Sequence, residues 1–442
     1  MAATRVPVTD VLRAPLFGAA LVTLAACAPA PAPAPAPSPE RVHPTAAERA
    51  AAARVDSLRA AHQAAEEAAA ARMARAVPIG RFAALPRPVS RLDSLMPRPM
   101  RAPVRVCAGG DVTLGTNLDT AWANRAAKHM RETLRRSDAP ASLVAPLRPL
   151  FAGADIALVN VESAIGEGPS PSKCGPNSTN CFAFRAPLAS ARALRSLAPH
   201  AQMVGNLANN HARDAGRAGQ DSTVAALQRA GVLVTGDDTI PTLVPTPNGD
   251  TVAVLGFYTS YDTPDARDTA EVRRLVARAA DQYPVVIVTM HLGAEGRRAQ
   301  HTLDSTEVYL GIDRGNPVAF AEAASRGGAA LVLGHGPHVL RAVEWPAHGA
   351  LIAYSLGNLL TYGPFVLHEP LNRSAVLCAT IDTTGRVSSA TMAPTVQRAA
   401  GVVSRDRSRR AFALVNALGR ADFPASAARV TARGVLIPAA RP

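Results

Sequence analysis

What most constrains this chain is a pattern that begins at Val104. Short apolar runs are each closed by residues able to hold a metal, and the runs alternate with helical stretches. Val104–Ala108, Ile156–Asn160, Met203–Gly205, Val252–Phe257, Val285–His291, Leu331–Gly334, Leu351–Ser355 and Ala375–Asp382 predict strands. Several are apolar without alternation, as strands covered on both faces must be. Between them, Thr120–Arg136, Pro187–Leu197, Asp214–Ala230, Thr269–Gln282, Pro317–Arg326 and Arg409–Leu418 predict helices. Alternation of this kind predicts an α/β fold with sheet between helices.

The N-terminal part reads differently. Arg5 and Arg13 precede an apolar run, Leu16 to Leu24, too short to span a bilayer as a stable helix. It ends in Leu24-Ala25-Ala26-Cys27, and small residues before a cysteine suit a lipoprotein signal peptidase. Residues 1–26 are therefore expected to be a signal peptide and Cys27 the lipidation site. Several acyl chains on one cysteine would anchor the protein stably to the membrane, on its extracytoplasmic side. The Ala-Pro alternation from Ala28 to Pro37 predicts a polyproline-like spacer. Thr45 to Ala76 favours helix but lacks large apolar residues, which suits a solvated stalk. The expected division is signal peptide 1–26, spacer, stalk and linker 27–103, globular domain 104–422 and an irregular tail 423–442.

Export also frames the cysteines. Cys174 and Cys181 flank a loop of turn formers and are expected to pair in an oxidising compartment. Cys107 and Cys378 sit in apolar runs and read as small buried hydrophobes, with a bond between them the lesser alternative. No CxxC occurs, which argues against a thiolate zinc site. The net charge of +13 would suit a polyanionic partner, but Lys128 and Lys173 are the only lysines. An arginine skew with abundant Ala and Pro reads as genome composition. No basic cluster with interleaved aromatics appears, so nucleic acid is not an expected partner.

The chemistry gathers at strand ends, where open α/β sheets place their binding sites. Gly109-Gly110-Asp111 follows the first strand; Asn160-Val161-Glu162 and Asn209-Asn210-His211, with Asp214, follow the next two. His291-Leu292-Gly293-Ala294-Glu295, Gly334-His335-Gly336-Pro337-His338 and Tyr354-Ser355-Leu356-Gly357-Asn358 complete the set. Each has a plainer alternative. Asp111 could cap a helix, Glu162 could be a solvated loop carboxylate, His211 a turn residue, and His335 and His338 satisfied structural histidines. Asp214 reads best as a helix cap, and Glu295 as a surface partner of Arg297 or Arg298. Tyr354 and Asn358 read as residues that shape the site or a turn. Together, one Asp, one Glu, one Asn and up to four His in one domain match a divalent metal such as Mn, Fe, Zn or Mg.

These six motifs, in this order, resemble the CapA family of poly-γ-glutamate capsule-synthesis proteins, over roughly Val104 to Asp382. That family resembles the calcineurin-like metallophosphatases, which implies a β-sandwich flanked by helices in four layers, α/β/β/α. By resemblance Asp111 holds the first metal, Glu162 stands at the bridging carboxylate, and Asn210 is an amide ligand. His291, His335 and His338 complete the coordination, and His211 is the acid that protonates a leaving group. Thr113 stands where metallophosphatases carry a histidine, which leaves one or two ions open. The resemblance implies a metal-dependent hydrolase or transferase acting on a phosphoester or a γ-glutamyl amide in capsule or envelope polymer assembly. Two alternatives stay open: a non-catalytic scaffold that binds anionic polymer or a membrane capsule synthase, and a 5′-nucleotidase-like phosphoesterase.

Overall fold

The structure, a computed structural model, describes residues 99–440 apart from 118–119, 167–181, 261–263, 348, 364 and 366. The expected signal peptide, Cys27, the spacer and stalk, and the Cys174–Cys181 pair lie outside the described residues.

Two sheets carry the domain. The larger has ten strands, and its central path runs Val387–Ala399, Arg373–Ile381, Val104–Thr113, Ile156–Val161, Gln202–Asn206, Val232–Thr235. From Val104–Thr113 onward that path is parallel, while Arg373–Ile381 and Val387–Ala399 run antiparallel. The smaller sheet has six strands, with Thr251–Tyr258, Val285–His291, Leu331–His335 and Leu351–Ala353 parallel at its centre.

Alternation along each strand sorts side chains into three cores. Val106, Ala108, Ile156 and Leu158 of the larger sheet meet Val254, Ile287, Leu331 and Leu333 of the smaller one in a single inner cluster. Cys107, Ala157, Val159 and Met203 face the other way, onto helices through Ala126, Leu143, Leu194 and Leu227. On the far side Leu255, Val286, Val288 and Met290 pack on Val272, Val276, Phe320 and Ala324. The expected four-layer α/β/β/α order is therefore the observed one. Each buried Val, Leu or Ile here contributes about 1.5–3 kcal/mol, which fixes the registers that follow.

Three local expectations change. Cys107 and Cys378 are directly opposed in the antiparallel pair and form a disulfide, because both point to the same face at matching register. Val387–Ala399 is a 13-residue strand. Its inward residues alternate with exposed Ser388, Ser389 and Arg398, so no apolar run announces it. In the tail, Arg429–Val430 and Val435–Ile437 form two short strands, the second paired with that long strand.

Candidate metal centre

Register brings the strand-end residues into two rows. Across the larger sheet the Cα partners are Asn358, Asp111, Asn160 and Asn206. Across the smaller one they are Tyr258, His291 and His335. Apart from Asn358, which opens the strand Asn358–Thr361, both rows lie at or near the carboxyl ends of parallel strands, and the two rows face each other.

Asp111 lies inside its strand, which runs on to Thr113, so it caps no helix. A bulge between Ala108 and Asp111 turns it toward the site. Glycine is required beside it: a Cβ on Gly110 would collide with the Gly357 carbonyl, the group that accepts Asp111 N–H at 2.9 Å. His338 reaches the site from a loop where it adopts a left-handed φ of 61°, a conformation that costs a non-glycine residue about 1 kcal/mol or more.

The amide row is saturated with hydrogen bonds. Asn160 Nδ2 donates to Asp111 Oδ1 at 2.8 Å and lies 3.2 Å from His291 Nδ1. Asn160 Oδ1 accepts from Asn206 Nδ2 at 2.9 Å and Asn209 Nδ2 at 3.0 Å. Asn209 Oδ1 in turn accepts the backbone N–H of His211 at 3.0 Å. His338 Nδ1 lies 3.1 Å from both Asp111 Oδ2 and Asn358 Oδ1.

The imidazole side is the opposite. His291 Nε2 stands 3.7 Å from Glu162 Oε1, His335 Nδ1 stands 3.7 Å from Asp111 Oδ1, and His338 Nε2 stands 3.7 Å from Glu162 Oε1. These separations are too long for hydrogen bonds. Glu162 Oε1, His291 Nε2 and both ring nitrogens of His335 are buried with no hydrogen-bond partner. Orphaned buried donors and acceptors cost about 1–3 kcal/mol each, so a cluster of them calls for a ligand. Asp111, Glu162 and His291 each direct one ligand-capable atom within 4.8 Å of the others, a donor set fit for a divalent cation.

The electrostatics agree at His291 and His335 but not at His338. There burial is outweighed by the Glu162 charge and the bonds to Asp111 and Glu295, which raise its ring well above the usual histidine range. Burial pushes His291 well below the usual histidine range and His335 down to about 4, so both rings are held neutral, the state in which imidazole ligates. Burial would raise Asp111, but the hydrogen bond and charge of His338 outweigh it and hold the carboxyl below its usual range. Burial, then the Asp111 charge, pushes Glu162 well above the usual range. Two carboxylates confined together in this way are relieved by a cation.

Asn210 is half-buried on the same loop as His211. The loop residue tied to the amide row is its neighbour Asn209. Asp214 does not cap the following helix, whose N-cap is Ala215 with no side-chain bond. Instead its Oδ2 meets His211 Nδ1 at 2.6 Å and accepts Phe184 N–H at 2.7 Å. Nor does Glu295 pair with Arg297 or Arg298: it meets buried Arg314 at 2.8 Å and turns its other oxygen to His338 Nε2 at 3.6 Å. Burial opposes its charge, yet the neighbouring His338 and then Arg314 prevail and lower it to about 2. Tyr354 donates to Glu344 at 2.5 Å and stacks on Phe423. In the sequence Asn160 and Asn209 stand in two of the motifs without a role of their own, and nothing there points to Asn206 or Arg314.

Residues 105–362, more than half of the chain, match the family described as bacterial capsule synthesis protein PGA_cap. The PGA biosynthesis protein CapA of Bacillus subtilis (strain 168) is 28% identical over 171 residues, covering 35% of this chain and 41% of that protein. The capsule biosynthesis protein CapA of Bacillus anthracis is 28% identical over 165 residues, covering 35% and 39%. The matched stretch thus spans about two fifths of these relatives. Among solved structures, a 5′-nucleotidase precursor from Thermus thermophilus aligns with a TM-score of 0.38 at 12% identity, over 73% of this chain and 59% of that one. With the family match covering more than half of its length, this chain belongs to the bacterial capsule synthesis protein family.

Proposed function

We propose that the protein is an extracytoplasmic, lipid-anchored metal-dependent hydrolase or transferase of capsule or envelope polymer assembly, acting on a phosphoester or a γ-glutamyl amide. The observation that carries this reading is the buried, unpartnered ring nitrogens of His291 and His335 facing carboxylate oxygens at 3.7 Å. Asp111, Glu162, His291, His335 and His338 would hold the cation, with Asn210 a further ligand from its loop. When bound, a divalent cation supplies Lewis acidity and brings the pKa of water toward neutrality.

The chain's own residues do the rest. Asn160 fixes the Asp111 carboxylate and, through Asn209, the loop that carries His211. The Asp214 carboxylate holds His211 at Nδ1, leaving Nε2 as the atom that delivers a proton to the leaving group. General acid catalysis of this kind contributes roughly 10²–10⁴-fold. Phe184, with its ring centroid 4.4 Å from that of His211, shields one side of the imidazole. The names of the matched relatives support the polymer assignment, and the Leu24-Ala25-Ala26-Cys27 sequence supports the anchor.

The test is metal analysis of the purified protein with turnover on a panel of phosphoesters and γ-glutamyl peptides. Turnover of either class that disappears in Asp111→Ala and His211→Ala supports the reading. A metal-loaded protein inert on both substrate classes would instead be a metal-containing scaffold. Fast hydrolysis of nucleotides alone would make it a nucleotidase.

A further inference from the structure

The connection between Val285–His291 and the helix Pro317–Arg326 carries a hairpin that the metal chemistry does not use. Val308 pairs with Asp313 and Tyr309 with Ile312, leaving Leu310-Gly311 as a two-residue turn. Both turn residues have left-handed φ, 50° and 77°. Turns of this geometry take Asn, Asp or Gly at the first position. Here that position holds a leucine, 66% exposed, so neither backbone preference nor burial explains the residue. Val308 at 59% and Ile312 at 56% are also exposed, so both faces of the hairpin present an apolar side chain beside its apolar turn.

The base of this hairpin is rigid and joined to the metal centre. Buried Arg341 donates to Glu307 at 2.8 and 2.7 Å, and Glu307 Oε2 accepts Ala294 N–H at 2.7 Å. Gly293 N–H, two residues beyond His291, donates to the Arg314 carbonyl at 2.9 Å. Arg314 pairs with Glu295, which faces His338. Tyr309, opposite Ile312, is partly buried, and burial and then the Glu295 charge raise its phenol, with His338 and Arg314 acting the other way. The base of the hairpin is thus tied to residues beside the metal centre while its apolar tip stands in solvent.

We propose that the Val308–Asp313 hairpin inserts its apolar tip into a lipid surface and holds the metal centre against it. The sequence supplies the occupant. A lipidated Cys27 would tether the domain to a bilayer, and Arg298 stands exposed on the same connection to meet anionic headgroups. Two exposed carboxylates stand beside the tip, Asp304, which accepts from Asn316 Nδ2, and Asp313, which accepts from Gly315 N–H, so insertion must keep both at the headgroup level. The proposal rests on the lipid-anchored envelope reading and deepens it, since a substrate for such a site is one presented at the membrane surface.

The test places a tryptophan at Ile312, and a control tryptophan at Ile240, 69% exposed on a different connection. Each full-length variant is reconstituted with phosphatidylcholine–phosphatidylglycerol vesicles whose acyl chains are brominated. With the emission of the two native tryptophans subtracted through the wild-type chain, the added signal of Ile312→Trp should fall about twofold relative to unbrominated vesicles, and that of Ile240→Trp should not. Adding Leu310→Asn should weaken the quenching while the melting temperature holds or rises, since Asn suits the turn better. Equal emission from both reporters in vesicle-bound protein overturns the proposal. So does a dimer that Leu310→Asn disperses, which would assign the tip to a second copy of the chain. A chain that stays off vesicles overturns it together with the anchor reading. Asp111→Ala should leave the quenching intact, so failure of the hydrolase reading is told apart from failure of this one.

Discussion

The two sheets bring opposite chemistry to the same site. On the larger sheet, Asp111, Asn160, Asn206 and Asn209 satisfy one another and need nothing more to hold their geometry. On the smaller sheet, His335 is buried with neither ring nitrogen bonded, and His291 Nε2 is in the same condition. One half is organised by the protein itself, and the other is completed by what binds. The difference separates residues that build the site from residues that use it, and the two kinds should respond differently to mutation.

The largest effect is expected on the imidazole side. His335→Leu removes two unsatisfied buried nitrogens and fills their place with an apolar group. Metal affinity should fall by about a hundredfold or more, on the order expected for a ligand rather than a supporting residue. The metal-free protein should unfold at the same or a higher denaturant concentration. Equilibrium dialysis and chemical denaturation in chelator measure the two halves of that statement.

Asn160→Ala should do the converse. It leaves Asp111, Asn206 and Asn209 without their shared partner, and the metal-free protein should lose about 2–3 kcal/mol by denaturation. Metal affinity should fall less, about 10–100-fold, because Asn160 only orients the carboxylate. Equal stability losses in Asn160→Ala and His335→Leu would erase the distinction between the rows.

Next in size is stabilisation by the cation. Manganese at about 100 times its dissociation constant should add about 2.7 kcal/mol to wild type by mass action. The same addition should leave the His335→Leu midpoint nearly unchanged.

The effect that least separates the two rows is the pH dependence of the metal-free protein. Burial lowers His335 from the ordinary 6.5 to about 4, so the folded state disfavours its charged form. The stability tied to this group is present above the unfolded value and is lost as pH falls toward 4. The stability difference between wild type and His335→Leu should therefore shift against wild type across that window.

How much of this was legible in the sequence follows the same division. Asp111, Glu162, His291, His335 and His338 stood out because an apolar run ending in a carboxylate or imidazole is uncommon without a purpose. Sequence alternation also announced the α/β layers. The supporting amides did not stand out, since Asn160 is an ordinary strand residue until register puts it opposite Asp111 and Asn206. Glu295 was read locally, beside Arg297 and Arg298, whereas its partner Arg314 arrives from across the hairpin. Cys107 and Cys378 are 271 residues apart, and only the antiparallel pairing of their strands opposes them. Pattern reveals which residues end strands; register, which no local pattern encodes, decides what they touch.

The most direct measurement is an anomalous difference map from a crystal of the manganese-loaded protein. The account predicts a peak within about 2.0–2.3 Å of oxygen or nitrogen atoms from both rows, Asp111 and Glu162 on one side and His291 and His335 on the other. A fully loaded protein whose peak lies elsewhere, with these four side chains unligated, would contradict it.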